Sequence, residues 1–143
     1  MSTLSPQIRV IALGLIRQGD RIWVADGQDP VSQRTFYRAL GGGVEFGEHS
    51  IDALQREFRE EIQAELTNIR YLGCIENLFI FDGRPHHEIV QLYEADFADR
   101  HFYQRESMQF IDDTYTGTAA WIPCDRFHSG ELRLVPEICL TYL

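Results

Sequence analysis

The apolar positions change period along the chain, and each change marks an element. Ile8 to Arg17 is dense in Ile, Val and Leu, Gln18-Gly19-Asp20 interrupts it, and Arg21 to Ala25 resumes it. Two strand-forming runs around a short turn containing Gly read as a hairpin. Asp26 to Arg34, with Gly27, Asp29 and Pro30, reads as a loop, and Thr35 to Leu40 as a strand that stops at Gly41-Gly42-Gly43. From Ser50 to about Leu66 the spacing becomes helical. At about 100° per residue, Ile51, Leu54, Phe58 and Ile62 fall in a stripe about 80° wide, with Ser50 or His49 to cap the start and Asp52 suited to the positive first turn. Ile69 to Phe81 and Glu88 to Phe97 form a second hairpin around Asp82-Gly83-Arg84-Pro85. The polar, mixed stretch Ala98 to Thr116 reads as a long surface loop, Ala119 to Ile122 as a short strand, and Pro136 to Leu143 as a terminal helix with Pro in its first turn. Strands around one long helix, with another helix near the end, predict an α/β or α+β sandwich.

Composition narrows the setting. A chain of 143 residues suits one domain, and 44% apolar with 24% charged residues is an ordinary globular balance. No apolar run approaches a membrane span, and Met1-Ser2-Thr3-Leu4-Ser5-Pro6 lacks the basic and apolar regions of a secretory signal. The net charge of −9 argues against a partner held mainly through nucleic-acid phosphates. It leaves room for a phosphate-bearing small molecule held through divalent cations on clustered carboxylates. Cys74, Cys124 and Cys139 are widely spaced and odd in number, so neither a disulfide framework nor a structural zinc site is expected, and a reducing cytoplasm fits.

The chemistry concentrates in Gly41-Gly42-Gly43-Val44-Glu45-Phe46-Gly47-Glu48 and in Arg56-Glu57-Phe58-Arg59-Glu60-Glu61 on the helix that follows. Glu57, Glu60 and Glu61 stand at i, i+3 and i+4 and project from one helix face beside the apolar stripe. Like charges so placed repel, and their burial is costly unless cations neutralise them. Oxygen ligands of this kind favour Mg²⁺ or Mn²⁺. A bare E-x-x-E-E is more often a solvated face held by arginines, here Arg56 and Arg59. The glycines upstream tip the reading towards a site, because they let backbone approach a ligand and offer carbonyl oxygens to a metal.

Gly42 to Ala64 resembles the Nudix box, G-x5-E-x7-R-E-U-x-E-E-x-G-U with U a bulky apolar residue. Gly42, Glu48, Arg56, Glu57, Phe58, Glu60 and Glu61 fall on its fixed positions, while Gln63 replaces the penultimate Gly and Ala64 the final bulky residue. The resemblance implies one Nudix-like α/β/α sandwich over residues 1–143, with a mixed sheet and a central catalytic helix. It implies metal-dependent hydrolysis of a pyrophosphate bond in a nucleoside diphosphate linked to another moiety. By carry-over, Glu57, Glu60 and Glu61 ligate Mg²⁺, joined by a backbone carbonyl of Gly41 or Gly42, with Glu48 as a further ligand or outer group. Arg56 orients the carboxylates, and Glu57 ranks ahead of Glu106 as general base. Homodimers are common among the proteins it resembles. The alternatives are a Nudix-like module that binds a nucleotide as a sensor without hydrolysis, and an acidic interaction domain with no small-molecule site.

Three further acids are substrate-binding candidates. Glu76 interrupts an apolar strand, and Glu88 borders a hairpin turn after His86-His87, whose alternation prevents a converging metal cluster. Glu106 lies in the polar stretch. Trp23, Phe36, Tyr37, Trp121 and Phe127 could stack on a base, but aromatics are most often core.

Overall fold

The computed structural model describes residues 6–112 and 115–143. Among the described residues, eight strands and two α-helices make up the fold: β1 Ile8–Gln18, β2 Arg21–Gln28, β3 Thr35–Arg38, β4 Leu40–Gly43, α1 Ser50–Ile62, β5 Leu66–Phe81, β6 Arg84–Phe97, β7 Ser107–Asp112, β8 Tyr115–Pro123 and α2 Cys124–His128. Two 3-10 helices, Arg100–Tyr103 and Glu137–Tyr142, complete it. The strand order is β5-β6-β1-β2-β8-β7, with β3 on β2 and β4 on β1. β1 runs parallel to β6 and antiparallel to its other neighbours, so the sheet is mixed.

Alternation along β1 assigns the two faces. Ala12 and Ile16 join Leu54, Phe58 and Ile62 of α1 in one core, while Ile11, Leu13 and Leu15 join Cys124 and Phe127 of α2 and Cys139 of the terminal 3-10 helix in the other. Helical segments thus cover both faces, as the α/β/α expectation requires. Gly14 marks where α1 crosses β1. A Cβ there would stand 3.1 Å from Leu54 Cδ1 and 3.2 Å from Phe58 Cε1, so the missing methyl lets the helix settle on the strand. Leu54 and Phe58 are fully buried, each contributing about 2 kcal/mol of transfer free energy.

The elements depart from the sequence reading at several points. The strand expected over Thr35–Leu40 is two strands, and the three glycines lie in or close β4 against Leu13, Ala12 and Ile11 rather than following a strand. β2 runs three residues into the expected loop, to Gln28. α1 stops at Ile62, because Gln63 adopts φ 56 and ψ 37 and its N–H closes back on Arg59 O. Ile51, placed in the buried stripe, is 38% exposed, and Ala53 takes the inward position. The second hairpin turns in two residues, Asp82 and Gly83, both at positive φ, which is the Asp-Gly geometry favoured between twisted strands. The expected loop Ala98–Thr116 contains a 3-10 helix and β7, with Phe102 and Phe110 buried. α2 was not foreseen, and the terminal helix is 3-10, beginning after Pro136. All three cysteines are free, Cys74 exposed and the other two buried. No helix among the described residues is long and apolar enough to cross a membrane.

Candidate active site

β4 and α1 bring the glycine loop and the helix acids together. Gly42 pairs with Ala12 on the face that α1 covers. A Cβ on Gly42 would stand 2.5 Å from Glu57 Cδ and 2.7 Å from both carboxylate oxygens. The Glu57 carboxylate therefore lies directly against the Gly42 backbone, a contact only glycine permits.

Arg56 is the hub of the cluster. Its Nε and one terminal nitrogen donate to the two oxygens of Glu48, each at 2.9 Å, in the bidentate geometry that gives an Arg–carboxylate pair its strength. That same nitrogen donates to Gly43 O at 2.9 Å, while the other reaches Glu57 at 3.0 Å and Glu60 at 3.4 Å. Glu45 lies 4.0 Å away. Glu48 also accepts from the Glu45 N–H at 3.1 Å. The Arg56 hydrogen bonds, helped by that N–H, hold the Glu48 carboxyl at about 2, below its ordinary 4.5. Glu48 reciprocates by raising the Arg56 pKa.

The predicted site residues divide accordingly. Arg56, Glu57, Glu60, Glu48 and Gly42 are brought together, and Glu61 is on the same helix, 8% exposed. Both Glu48 oxygens accept from Arg56. The carboxylates converge on the guanidinium rather than on each other, and among the described residues no group of three His, Cys, Asp or Glu side chains is gathered closely enough to hold a metal. The donor set still fits a hard cation: oxygen atoms alone, three from one helix, with the Gly42 backbone against one of them.

The outlying acids separate. Glu76 is exposed on β5 and borders a cleft of about 390 Å³ that also contacts Phe36, Arg38 and Asn77. Glu88 is buried, paired in register with Arg9 of β1, and borders an open groove beside Val44 and Phe46 of the glycine loop. Glu106 bonds to Arg21 at 3.2 Å. Arg21 pairs with Gln18, seven residues along β1 from the Ile11 that faces Gly43, a separation of about 23 Å. Of the weighed aromatics, Trp23, Trp121 and Phe127 are core, while Phe36 lines the smaller cleft. Arg38 and Asn77 line the smaller cleft, and Arg9 and Phe46 the open groove; of these, Arg9 and Arg38 were not singled out by the sequence. Arg9 was detectable as a lone charge between the apolar residues Ile8 and Val10 of a strand.

A mixed sheet lies between helical layers, with a glycine strand leading into a helix of acids. A family model for the NUDIX domain matches residues 5–137, and the chain belongs to that family. Among curated relatives, the NAD-capped RNA hydrolase NudC of Pseudomonas putida (strain W619) is 40% identical over 68 residues, which is 48% of this chain and 24% of that protein. NudC of Pseudomonas syringae pv. syringae (strain B728a) is 39% identical over 70 residues, 49% of this chain and 24% of that protein. These matches span about a quarter of the relatives' length. Among solved structures, a MutT NUDIX hydrolase from Burkholderia pseudomallei aligns with a TM-score of 0.64 at 21% identity, over 83% of this chain and 85% of that one. The mMutator MutT protein from Bacillus halodurans aligns with a TM-score of 0.63 at 17% identity, over 94% and 80%. At these identities the likeness speaks for the fold.

Proposed function

We propose that the chain hydrolyses the diphosphate bond of a nucleoside diphosphate joined to a second moiety, in a metal-dependent reaction. The observation that carries this reading is the convergence of Glu48, Glu57 and Glu60 on Arg56 beside the Gly42 backbone. So many acids around one guanidinium leave surplus negative charge, and a divalent cation is the natural neutraliser. Mg²⁺, or Mn²⁺ in its place, would be held by Glu57, Glu60 and Glu61 with a carbonyl of Gly41 or Gly42. When bound it would neutralise phosphate oxygens and lower the pKa of water. The chain's own part is positional. Glu48 clamps Arg56 bidentately, Arg56 fixes Glu57 and Glu60, and the Gly42 backbone keeps Glu57 from swinging back. Glu57 is the proposed base that takes the proton of the attacking water, because it combines partial burial with direct contact to the loop. Two phosphorylated products would leave.

The substrates to test are nucleotide sugars, modified nucleoside triphosphates and NAD-capped RNA, the last because it is named for two relatives. The setting we propose is cytoplasmic, in keeping with three free cysteines, and the partner a small molecule, in keeping with the charge of −9. The test is a cleavage panel of these compounds with Mg²⁺, followed by phosphorus NMR, using wild type and Glu60→Gln. The expected result is turnover of at least one compound that falls about a hundredfold or more in the variant. Null turnover for both proteins, with nucleotide still bound, would instead establish a sensor.

A further inference from the structure

We propose that Ser50 and Tyr93 are a positioning pair for the acid cluster. The hydrogen bond between their hydroxyls fixes how α1 lies on the sheet, and through α1 where Glu48, Glu57 and Glu60 stand. The inference rests on the metal-dependent hydrolase reading and adds to that site two residues that act through the helix rather than on the substrate.

The start of α1 is not held by a capping side chain. His49 occupies the N-cap at φ −72 and ψ 147, and its side chain makes no capping hydrogen bond. The hydroxyl of Ser50 is directed to the sheet instead: Ser50 Oγ and Tyr93 OH lie 2.6 Å apart, across 43 residues of sequence. The register shows why the two meet. Tyr93 of β6 pairs with Gly14 of β1, and Gly14 is the residue on which Leu54 and Phe58 rest, 3.1 and 3.2 Å from where a Cβ would stand. Ser50, Leu54 and Phe58 stand at i, i+4 and i+8 on one helix face. As Leu54 and Phe58 settle on β1, Ser50, one turn earlier, arrives over the neighbouring strand. Tyr93 is 7% exposed, and the Tyr71 ring packs edge-on against it at 5.3 Å, with Tyr71 OH donating to Gln91 Oε1 at 2.6 Å. The phenol is thus fixed within the sheet. Apolar burial of Leu54 and Phe58 sets the depth of α1 but has no direction, whereas a hydrogen bond restrains position along and around the axis. That restraint reaches the cluster in two ways. The loop of residues 44–49 is tied at one end by β4 and at the other by Ser50, and Glu48 within it clamps Arg56, which in turn bonds to Glu57 and Glu60. Glu57 also lies on the same rod as Ser50, about 10 Å further along its axis, so a shift at the helix start is carried to the carboxylates.

The experiment compares the full chain as wild type, Tyr93→Phe, Ser50→Ala, the double variant and Ser50→Thr. Mn²⁺ binding is titrated by electron paramagnetic resonance without substrate. Values of kcat and KM are measured with Mg²⁺ on the best compound of the cleavage panel, and melting temperatures are recorded alongside. Removing either hydroxyl is expected to raise the Mn²⁺ Kd severalfold and to lower kcat about tenfold with KM within about twofold, a part of the hundredfold that a misplacement of about 1 Å costs. The double variant is expected to be no worse than either single one, because both remove the same bond, and Ser50→Thr, which keeps the hydroxyl, is expected to recover both values. Lower melting temperatures with Mn²⁺ Kd and kcat unchanged would reduce the bond to a structural one and overturn the proposal. So would losses that add in the double variant. Wild type that binds no Mn²⁺ and cleaves nothing would instead remove the hydrolase reading, and the proposal with it.

Discussion

Gly42 and Gly41 are neighbours with opposite tasks. A Cβ on Gly42 would strike the end of a flexible side chain, the Glu57 carboxylate, which can yield without disturbing the strand. A Cβ on Gly41 would stand 1.9 Å from Ala12 O, and Gly41 has φ 146, so backbone itself would have to move. Gly42→Ala is therefore expected to keep its melting temperature within about 2 °C while turnover falls about a hundredfold, because displacing a catalytic group by about 1 Å costs that much. Gly41→Ala is expected to lose several kcal/mol of stability or fail to fold, read by circular dichroism melts. The box pattern fixes Gly42 as a glycine, and geometry gives the reason: the Glu57 carboxylate fills the space a Cβ needs.

Glu48 and Arg56 set the pH response. The Glu48 carboxyl titrates near 4.5 in the unfolded chain and about 2 in the folded one, so folding favours its ionised form. The stability it contributes is complete above about pH 4.5 and is lost as pH falls towards 2. Replacing Arg56 by Met removes the cause of that depression. Thermal melts from pH 5 to pH 2 are expected to show a shallower acid decline in Arg56→Met than in wild type. Parallel declines would mean that other carboxylates carry the acid limb.

At the scale of elements, α1 was legible because its apolar residues repeat every three to four positions and its acids sit beside them; Leu54, Phe58 and Ile62 of that stripe are buried, while Ile51 is exposed and Ala53 takes its inward place. Its end was not. Gln63 occupies the left-handed position that the family pattern fills with Gly, and an L residue there costs about 1 kcal/mol. The replacement read as a departure is an energetic penalty at a helix terminus, well past the carboxylates. Gln63→Gly is expected to raise the melting temperature by about 3 °C with kcat unchanged. A lower melting temperature would refute that account. β7 was missed because only Met108 and Phe110 mark its inward face, and two apolar positions do not make a visible alternation. Ile111, the third apolar residue there, is 61% exposed. The Leu40–Gly43 strand was missed because glycine has low strand propensity; here β4 is held by pairing to β1 and by the approach of Glu57.

At the scale of the molecule, β1 organises everything. It separates the two cores, pairs with β4 to present the glycines, and pairs with β6 to place Arg9 beside Glu88. Which cleft lies where depends on these long-range pairings, and a linear sequence does not display them. Family membership and the acid cluster were readable locally, whereas the two recesses around Phe79 required the folded sheet. This cluster is expected to work only with a divalent cation seated among its carboxylates. The direct measurement is initial rate against free Mg²⁺ on the best substrate, for wild type and Glu57→Gln with matched melting temperatures. The predicted result is no turnover without metal, a saturable rise with it, and a variant slower by about a thousandfold at saturation. Turnover that persists in chelator, or a Glu57→Gln protein that matches wild type, would contradict the claim.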